Sequence, residues 1–174
     1  MSAKTASKST IVNYGFLLGL LSISMSVVLY IQDLHLAQNQ GVGLVSVLFI
    51  IVFTVLGIRS YSKHNTLSFG EGIKIGIGIT VLSAVMISLY NYIFSNYIEP
   101  DFMNQMAEVQ RQAMEASGEL TAEQIDKRIE KLKEGANSLI TPAIGIVFSA
   151  FLGFVISAIT TVIFIKINEN KNQE

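Results

Sequence analysis

The stretch from Ile11 to Ile31 reads IVNYGFLLGLLSISMSVVLYI and contains no charged residue. It is roughly 21 residues long, which is enough for an α-helix to cross a hydrocarbon core about 30 Å thick. Its apolar residues surround the whole helix, whereas a soluble amphipathic helix carries them in one stripe. The run is also longer than the apolar core of a signal peptide. The stretch therefore predicts a retained transmembrane helix, and with it a membrane protein.

Three more segments share this apolar character and lie at 41–58, 73–98 and 139–165. The segment at 73–98 breaks its apolar run only at Lys74, near its start. Of the 174 residues, 51% are hydrophobic and 14% are charged, whereas a soluble domain carries about a quarter charged residues. We therefore expect one all-α integral membrane domain over residues 1–174, built as a four-helix bundle of the four spans.

Lysine and arginine residues indicate the orientation of the bundle. They occur in the N-terminal tail, at Lys4 and Lys8, in the loop after the second span and in the C-terminal tail. The first loop, residues 32–40, contains none. Because such residues concentrate on the cytoplasmic side, both termini are predicted to be cytoplasmic. The segment at 100–137, between the third and fourth spans, is then external.

This external segment predicts an antiparallel helical hairpin. Apolar residues recur at helical spacing in both of its halves. Ser117 and Gly118 separate the halves, and Thr121 and Gln124 have the spacing of a capping box at the start of the second helix. The apolar faces are expected to lie together or on the bilayer. They also form the candidate external interaction surface, which comprises Phe102, Met106, Val109, Ile125, Ile129 and Leu132.

The phrase SFGEGIKIGIGIT, from Ser68 to Thr80, has the glycine content of a phosphate-binding loop. However, no strand precedes it, and its glycine spacing fits neither the dinucleotide fingerprint nor the Walker pattern. Ser68 and Glu71 instead have the spacing of a capping box. Lys74 can extend its amine to the lipid headgroups. The phrase therefore predicts a helix start at the membrane surface rather than a nucleotide site.

Small residues recur every four positions along three of the spans, and such lines let membrane helices approach closely. We refer to these lines as seams. One interpretation is that the seams pack the third and fourth spans together within one chain. The alternative is that one seam, above all that of the first span, faces a second protomer. The seam residues are Gly15 and Gly19 in the first span, Gly72, Gly76, Thr80, Ala84 and Ser88 in the third, and Gly145, Ser149, Gly153, Ser157 and Thr161 in the fourth.

No pattern in the chain predicts catalytic chemistry. Cysteine is absent, which removes thiolate catalysis and cysteine metal ligands. His35 and His64 lie in loops that are expected on opposite sides of the membrane, so they cannot share a metal ion. The net charge is −1 with no basic tract, so nucleic acid is not an expected partner. We predict no catalytic residue, no cofactor and no metal site, and we expect that the protein is not an enzyme.

Three phrases resemble a known family. They are NYGFLLGLLSI from Asn13, LSFGEGIKIGIGI from Leu67, and YNYIFSNYIEPDF from Tyr90 to Phe102. The chain resembles, over nearly its whole length, a domain-of-unknown-function family, numbered forty-one ninety-nine, of small bacterial integral membrane proteins. The resemblance implies four spans and a bacterial inner membrane, and it supplies no activity, substrate or catalytic residue.

Two functions remain open at this point. The first is a non-enzymatic accessory or scaffold subunit, or a small homo-oligomer, whose external hairpin recognises a partner. The alternative is a small dimeric transporter or channel with a polar path between the first and third spans, to which Asn13 or Asn91 would contribute. The expected partners are the lipid bilayer and either a second copy of the chain or another membrane protein. A transporter usually keeps ionisable groups near the middle of the membrane, and their absence favours the first function.

Overall fold

The computed structural model of the chain describes residues 3–37, 40–136 and 140–171. Within these ranges it contains six α-helices and no β-strand, so the all-α class is confirmed. The helices are α1 (Ala3–Ile31), α2 (Gln40–Ser62), α3 (Phe69–Ile93), α4 (Phe102–Ser117), α5 (Ala122–Ala136) and α6 (Ile140–Lys171). A π-helical turn, Phe94–Ile98, extends α3.

Four helices of the described ranges, α1, α2, α3 and α6, are long and apolar enough to cross a membrane, as predicted. Their candidate spans are Lys4–Ile31, Gly41–Ser62, Phe69–Ile98 and Ile140–Asn168. The helices extend beyond the apolar runs because helical hydrogen bonds continue into the flanking polar residues. Residue 139, where the fourth span is predicted to begin, and residue 137, where the external segment is predicted to end, lie outside the described residues.

Helix α3 is central to the packing of the spans and contacts α1, α2 and α6. Helix α2 also contacts α1 and α6. Their shared core contains Leu18, Ile58, Tyr61, Leu67, Ile75 and Ile79. Within a bilayer such contacts stabilise the protein through close packing, because lipid tails are as apolar as the side chains.

Helices α4 and α5 pack against each other, and we call them the α4–α5 pair. Ala107 of α4 and Ile125 and Ile129 of α5 are buried between them. Arg111 of α4 bonds to Asp126 of α5 at 2.7 Å, and this hydrogen bond raises the pKa of Arg111. The bond is solvent-exposed, so the apolar contact stabilises the packing of α4 on α5 more than the charges do.

The α4–α5 pair lies at the end of the molecule where α1 and α3 finish and α6 begins. His35, in the loop after α1, contacts Glu99, which follows the π-helical turn. The hydroxyl of Thr141, in the first turn of α6, donates to the carbonyl oxygen of Gly135 in α5 at 2.9 Å. We call this the α4–α5 end of the spans.

Candidate functional site

Helices α3 and α6 interlock through their small residues. Side chains of one helix occupy the space left by glycines of the other: Thr161 lies at Gly72, Ser157 at Gly76 and Thr80 at Gly153. A methyl group at any of these glycines would overlap the facing side chain. Of the other predicted seam residues, Ala84 is buried, and Ser88 and Ser149 are half-buried.

Gly145 is an exception to this seam. It is exposed, and within the described residues no atom would lie within 4 Å of a side chain added there. The interlocked contact between α3 and α6 thus does not include Gly145. The prediction that Gly145 packs in this seam is wrong, because a small-residue period does not show where two helices separate.

The seam of α1 faces α3 of the same chain. A side chain added at Gly15 would lie 3.0 Å from Leu82, and one added at Gly19 would lie 2.7 Å from the sulfur of Met86. The surface of α1 that we considered for a second protomer is thus covered by α3.

Toward the α4–α5 end from Gly19, a cavity of about 160 Å³ lies between α1, α2, α3 and α6. Small residues, among them Ser22, Ser83 and Ala84, line it together with larger apolar residues such as Met25 and Ile87. We call it the inner cavity. Its hydroxyl-bearing residues are Ser22, Ser26, Ser46, Thr80, Ser83 and Ser149. The cavity therefore combines an apolar wall with several hydroxyl groups.

Several hydroxyls of the inner cavity donate to backbone carbonyl oxygens of their own helices. Ser83 donates to the carbonyl oxygen of Thr80 at 2.9 Å, Ser26 to that of Ser22 at 3.1 Å, and Ser46 to that of Val42 at 2.9 Å. A hydroxyl that donates its proton in this way keeps its oxygen lone pairs as acceptors. The wall of the cavity can therefore accept hydrogen bonds from water or from a solute.

A second cavity, of about 140 Å³, adjoins the first at the α4–α5 end. Ser26 and Leu29 line both cavities. We call this the outer cavity, and we call the two together the cleft. The remaining residues that line the outer cavity are His35, Tyr90, Asn91, Phe94 and Phe102.

His35 and Glu99 form a polar contact beside the outer cavity. His35 Nε2 lies 2.9 Å from Glu99 Oε2, and the two side chains are 13% and 15% exposed. Gln105 Nε2 donates to the other carboxylate oxygen, Oε1, at 2.9 Å. The alignment of His35 and Glu99 is poor, because neither Nε2 nor Oε2 has a well-directed hydrogen bond within the described residues. The pair is close but weakly directed.

The turn after α1 brings His35 to this position. Asp33 has a φ of 55°, in the left-handed region that Asp tolerates. The amide of Leu34 then donates to the carbonyl oxygen of Leu29 at 2.8 Å. The chain thus turns back over the end of α1, and the His35 ring packs against Tyr30, with 5.1 Å between the ring centroids.

An apolar layer lies next to the inner cavity, on the side away from the α4–α5 end. Leu18 of α1, Ile58 of α2, and Ile75 and Ile79 of α3 have exposed fractions of 1% or less. These residues come from three helices and contact one another in the core of the spans. The inner cavity therefore borders a tightly packed apolar core on the side away from the α4–α5 end.

A second polar group lies beyond this layer, at the start of α3. Ser68 Oγ accepts a hydrogen bond from the amide of Glu71 at 3.2 Å, and Lys74 Nζ lies 3.6 Å from Glu71 Oε1. Across the part of the chain that the structure describes, Glu71 Oε2, Tyr61 Oη and Thr161 Oγ1 are buried without a hydrogen-bond partner. Ser68 thus caps α3, whereas Glu71 pairs with Lys74 and leaves its second carboxylate oxygen unbonded.

A family model for proteins of unknown function, DUF4199, matches residues 13–166. The chain belongs to the DUF4199 family. The resemblance carried by the three phrases is therefore confirmed, and the matched region contains both cavities, the His35–Glu99 pair and the α4–α5 pair. No curated protein and no solved structure matches this DUF4199 member.

The predicted interaction surface of this DUF4199 member is largely internal. Ile125 and Ile129 are 3% and 6% exposed, because they pack on Ala107 of α4. Phe102 stacks on His35, with 6.0 Å between ring centroids. Met106, Val109 and Leu132 are half-buried. The expectation of an apolar recognition surface is wrong for Ile125 and Ile129, since the two helices bury these residues between themselves.

The residue types of a hydrolytic triad occur near the outer cavity, but their arrangement differs. The Ser26 hydroxyl donates to the carbonyl oxygen of Ser22, and within the described ranges it makes no hydrogen bond to His35. A serine nucleophile needs a base within hydrogen-bond reach. In those same ranges, no group of three His, Cys, Asp or Glu residues could hold a metal ion.

Sequence reasoning did not find the His35–Glu99 pair. Both residues are predicted on the external side of the membrane, and this shared side was the only available signal. Of the two span asparagines considered for a polar path, Asn91 lines the outer cavity, whereas Asn13 is exposed on α1.

Proposed function

We propose that this membrane protein is a small, non-enzymatic transporter that moves a small polar solute through the cleft beside α1. The observation that carries the proposal is the cleft itself, in which two cavities share Ser26 and Leu29 and present a line of hydroxyl acceptors. Membrane interiors tolerate polar groups where they pair with one another or line a cavity. Here hydroxyl groups from α1, α2, α3 and α6 line the inner cavity.

In this proposal the four spans form a four-helix bundle in a bacterial inner membrane, and the α4–α5 pair is an extracytoplasmic helical hairpin. The positive-inside rule supports this orientation, with Lys4, Lys8, Arg59 and Lys63 on the cytoplasmic side. The outer cavity then lies on the outer side of the membrane, and the proposal is that the cleft opens there and that the apolar layer closes it toward the cytoplasm. A carrier that alternates between two open sides fits this arrangement better than a continuous channel does.

The packing suggests which parts move in such a carrier. Helices α3 and α6 form one unit, because Gly72, Gly76 and Gly153 bring side chain and backbone into direct contact. The apolar layer joins α1 and α2 to that unit through Leu18 and Ile58. Separation of α1 and α2 from α3 at this layer would open the cytoplasmic side.

A scaffold or accessory role has less support. It relied on an exposed apolar face of the hairpin, and Ile125 and Ile129 are buried within the α4–α5 pair. Residues of one chain line both cavities, and the proposal requires no residue from a second chain.

Cysteine accessibility tests whether the cleft contains water. The chain has no cysteine, so any labelling of a single-cysteine variant comes from the introduced residue. Ser83→Cys, in the inner cavity, is expected to react with a small, charged, membrane-impermeant thiol reagent added from the α4–α5 side. Val85→Cys, which is exposed on the lipid-facing surface of the same helix, is the matched control and is expected to stay unmodified, as is Ile79→Cys in the apolar layer.

Flux through proteoliposomes then tests transport. Swelling in small neutral and cationic solutes is expected to be faster with the protein than with empty liposomes. Ser83→Leu should fill the inner cavity and lower the swelling rate to that of empty liposomes. Asn13→Leu, at the exposed surface of α1, should leave the swelling rate unchanged. A Ser83→Cys thiol that is inert from both sides of the membrane would exclude the transporter.

A further inference from the structure

We propose that the His35–Glu99 pair is a pH-sensitive latch, which holds the loop after α1 against the start of α4 when His35 is protonated. We call the described part of this loop, residues 32–37, the His35 loop. The inference goes beyond the proposed function, because it concerns the position of a loop and does not require that the cleft carry a solute.

The latch joins two parts of the chain that are far apart in sequence. His35 Nε2 lies 2.9 Å from Oε2 of Glu99, which follows the π-helical turn. Both side chains are mostly buried. Gln105 of α4 donates to the other oxygen of Glu99 at 2.9 Å and so holds the carboxylate in place. The strength of this contact therefore affects how firmly the His35 loop is held.

Protonation of His35 adds a positive charge beside this carboxylate. Histidine is the side chain that ordinarily changes charge between pH 5 and 8, whereas a glutamate carboxylate is ordinarily charged there. Opposite charges within about 4 Å attract each other, and burial reduces their screening by salt. Glu99 Oε2 has no well-directed donor within the described residues. A charged imidazole would be drawn to this oxygen more strongly than a neutral one.

Aromatic rings around His35 also favour its charged form. The centroid of the His35 ring lies 5.1 Å from that of Tyr30 and 6.0 Å from that of Phe102, on which it stacks. A cation within about 6 Å of a ring face is stabilised by it. His35 Nδ1 is buried without a partner in the part of the chain that the structure describes, which opposes the added proton. For the latch to close, the carboxylate and the rings have to outweigh this cost.

Glu99 is the one charged group of the described residues that forms an ion-pair contact with His35. Phe94 and Phe102, which also pack on the His35 ring, are uncharged. Phenols are ordinarily uncharged between pH 5 and 8, and both nearby aspartates are exposed to solvent, which screens them. The other titratable residues on the neighbouring elements are Tyr30 of α1, Tyr90 of α3, Asp33 of the His35 loop and Asp101 before α4.

Release of the latch would change the wall of the outer cavity. His35 and Phe102 both line this cavity, and Phe102 is the first residue of α4. Movement of the His35 loop away from α4 would therefore separate two parts of that wall. In the proposed orientation this end faces the outside, so the external pH would act on the latch.

A double-mutant cycle at two pH values tests the latch. His35→Gln, Glu99→Gln and the double variant are compared with the natural chain in lipid nanodiscs, at about pH 5.5 and about pH 8. The measurement is hydrogen exchange in the His35 loop, where the amide of Leu34 donates to the carbonyl oxygen of Leu29. Variants are compared at the same pH, so the intrinsic exchange rate cancels. The coupling of the two side chains is expected to reduce loop opening about fivefold at the lower pH, and much less at the higher one.

The Arg111–Asp126 bond is the matched control, because it joins α4 to α5 without a histidine. Its coupling, measured with Arg111→Gln and Asp126→Asn on the amides of α5, should be the same at both pH values.

A His35–Glu99 coupling that is equal at both pH values, or larger at the higher one, would overturn the latch. Glu99→Gln alone gives a second measurement if His35→Gln fails to fold. It retains the histidine, and the pH dependence of loop protection should be lost in it; a pH dependence as large as that of the natural chain would also overturn the latch. An absence of flux through proteoliposomes would remove the transporter and leave these expectations unchanged.

Discussion

At the scale of single residues, the stability of the spans depends on what fills the space opposite each glycine. Ser157 lies against Gly76, and within the described residues nothing comes within 4 Å of a side chain added at Gly145. Both glycines are predicted seam residues, Gly76 in the third span and Gly145 in the fourth. Their surroundings, rather than their spacing, decide what a substitution does.

We therefore expect that Gly76→Ala destabilises the protein by about 1–3 kcal/mol, the usual cost of overpacking. The added methyl group would overlap the Cβ atom of Ser157, which cannot rotate away, so the α3 and α6 backbones would have to separate. The measurement is reversible unfolding in mixed micelles. Gly145→Ala is the matched control, and equal stability of the two variants would contradict the interlocked contact.

At the scale of helical elements, α5 begins with a complete capping box. Thr121 Oγ1 accepts from the amide of Gln124 at 3.3 Å, and Gln124 Oε1 accepts from the amide of Thr121 at 2.9 Å. Leu120 packs on the Ala107 cluster just before this cap. At the C-terminal end of α4, Gly118 takes the left-handed conformation, with a φ of 66°. The α4–α5 pair is thus defined by short-range signals at its turn.

Loss of the cap should weaken this element alone. Thr121→Ala is expected to lower the stability of the α4–α5 pair by about 1 kcal/mol, the usual value of an N-cap. Faster amide hydrogen exchange in the first turn of α5 would show this loss of stability. Amides of α3 and α6 are the internal control, and a matching loss of protection there would mean that the pair and the spans unfold as one unit.

The same elements show what sequence can and cannot predict here. The apolar runs and the Thr121–Gln124 cap follow local rules and were predicted from the chain. The His35–Glu99 contact was not, because it joins a loop to a distant helix end through the turn at Asp33 and the π-helical turn, Phe94–Ile98. A π-helical turn changes which side of the helix the following residues face, and no residue pattern in this stretch indicated it.

At the scale of the whole molecule, the proposed orientation follows from the distribution of lysine and arginine. Single cysteines can test it, since the natural chain has none. In intact spheroplasts, Glu130→Cys on α5 is expected to react with an impermeant maleimide, and Lys8→Cys only after permeabilisation. The opposite pattern would place the cleft opening on the cytoplasmic side and reverse the direction of the proposed transport.

The interlocked contact between α3 and α6 also has a consequence for how the protein is made. Helix α3 leaves the ribosome well before its main partner, because the α4–α5 pair is translated between them. At usual rates of synthesis the delay between Ile98 and Asn168 is on the order of several seconds. During that time the α3 face that carries Gly72 and Gly76 lacks the Thr161 and Ser157 side chains that cover it in the folded chain. The central contact of the molecule thus forms last, and a chain that stops before α6 leaves the insertion machinery with this face still open.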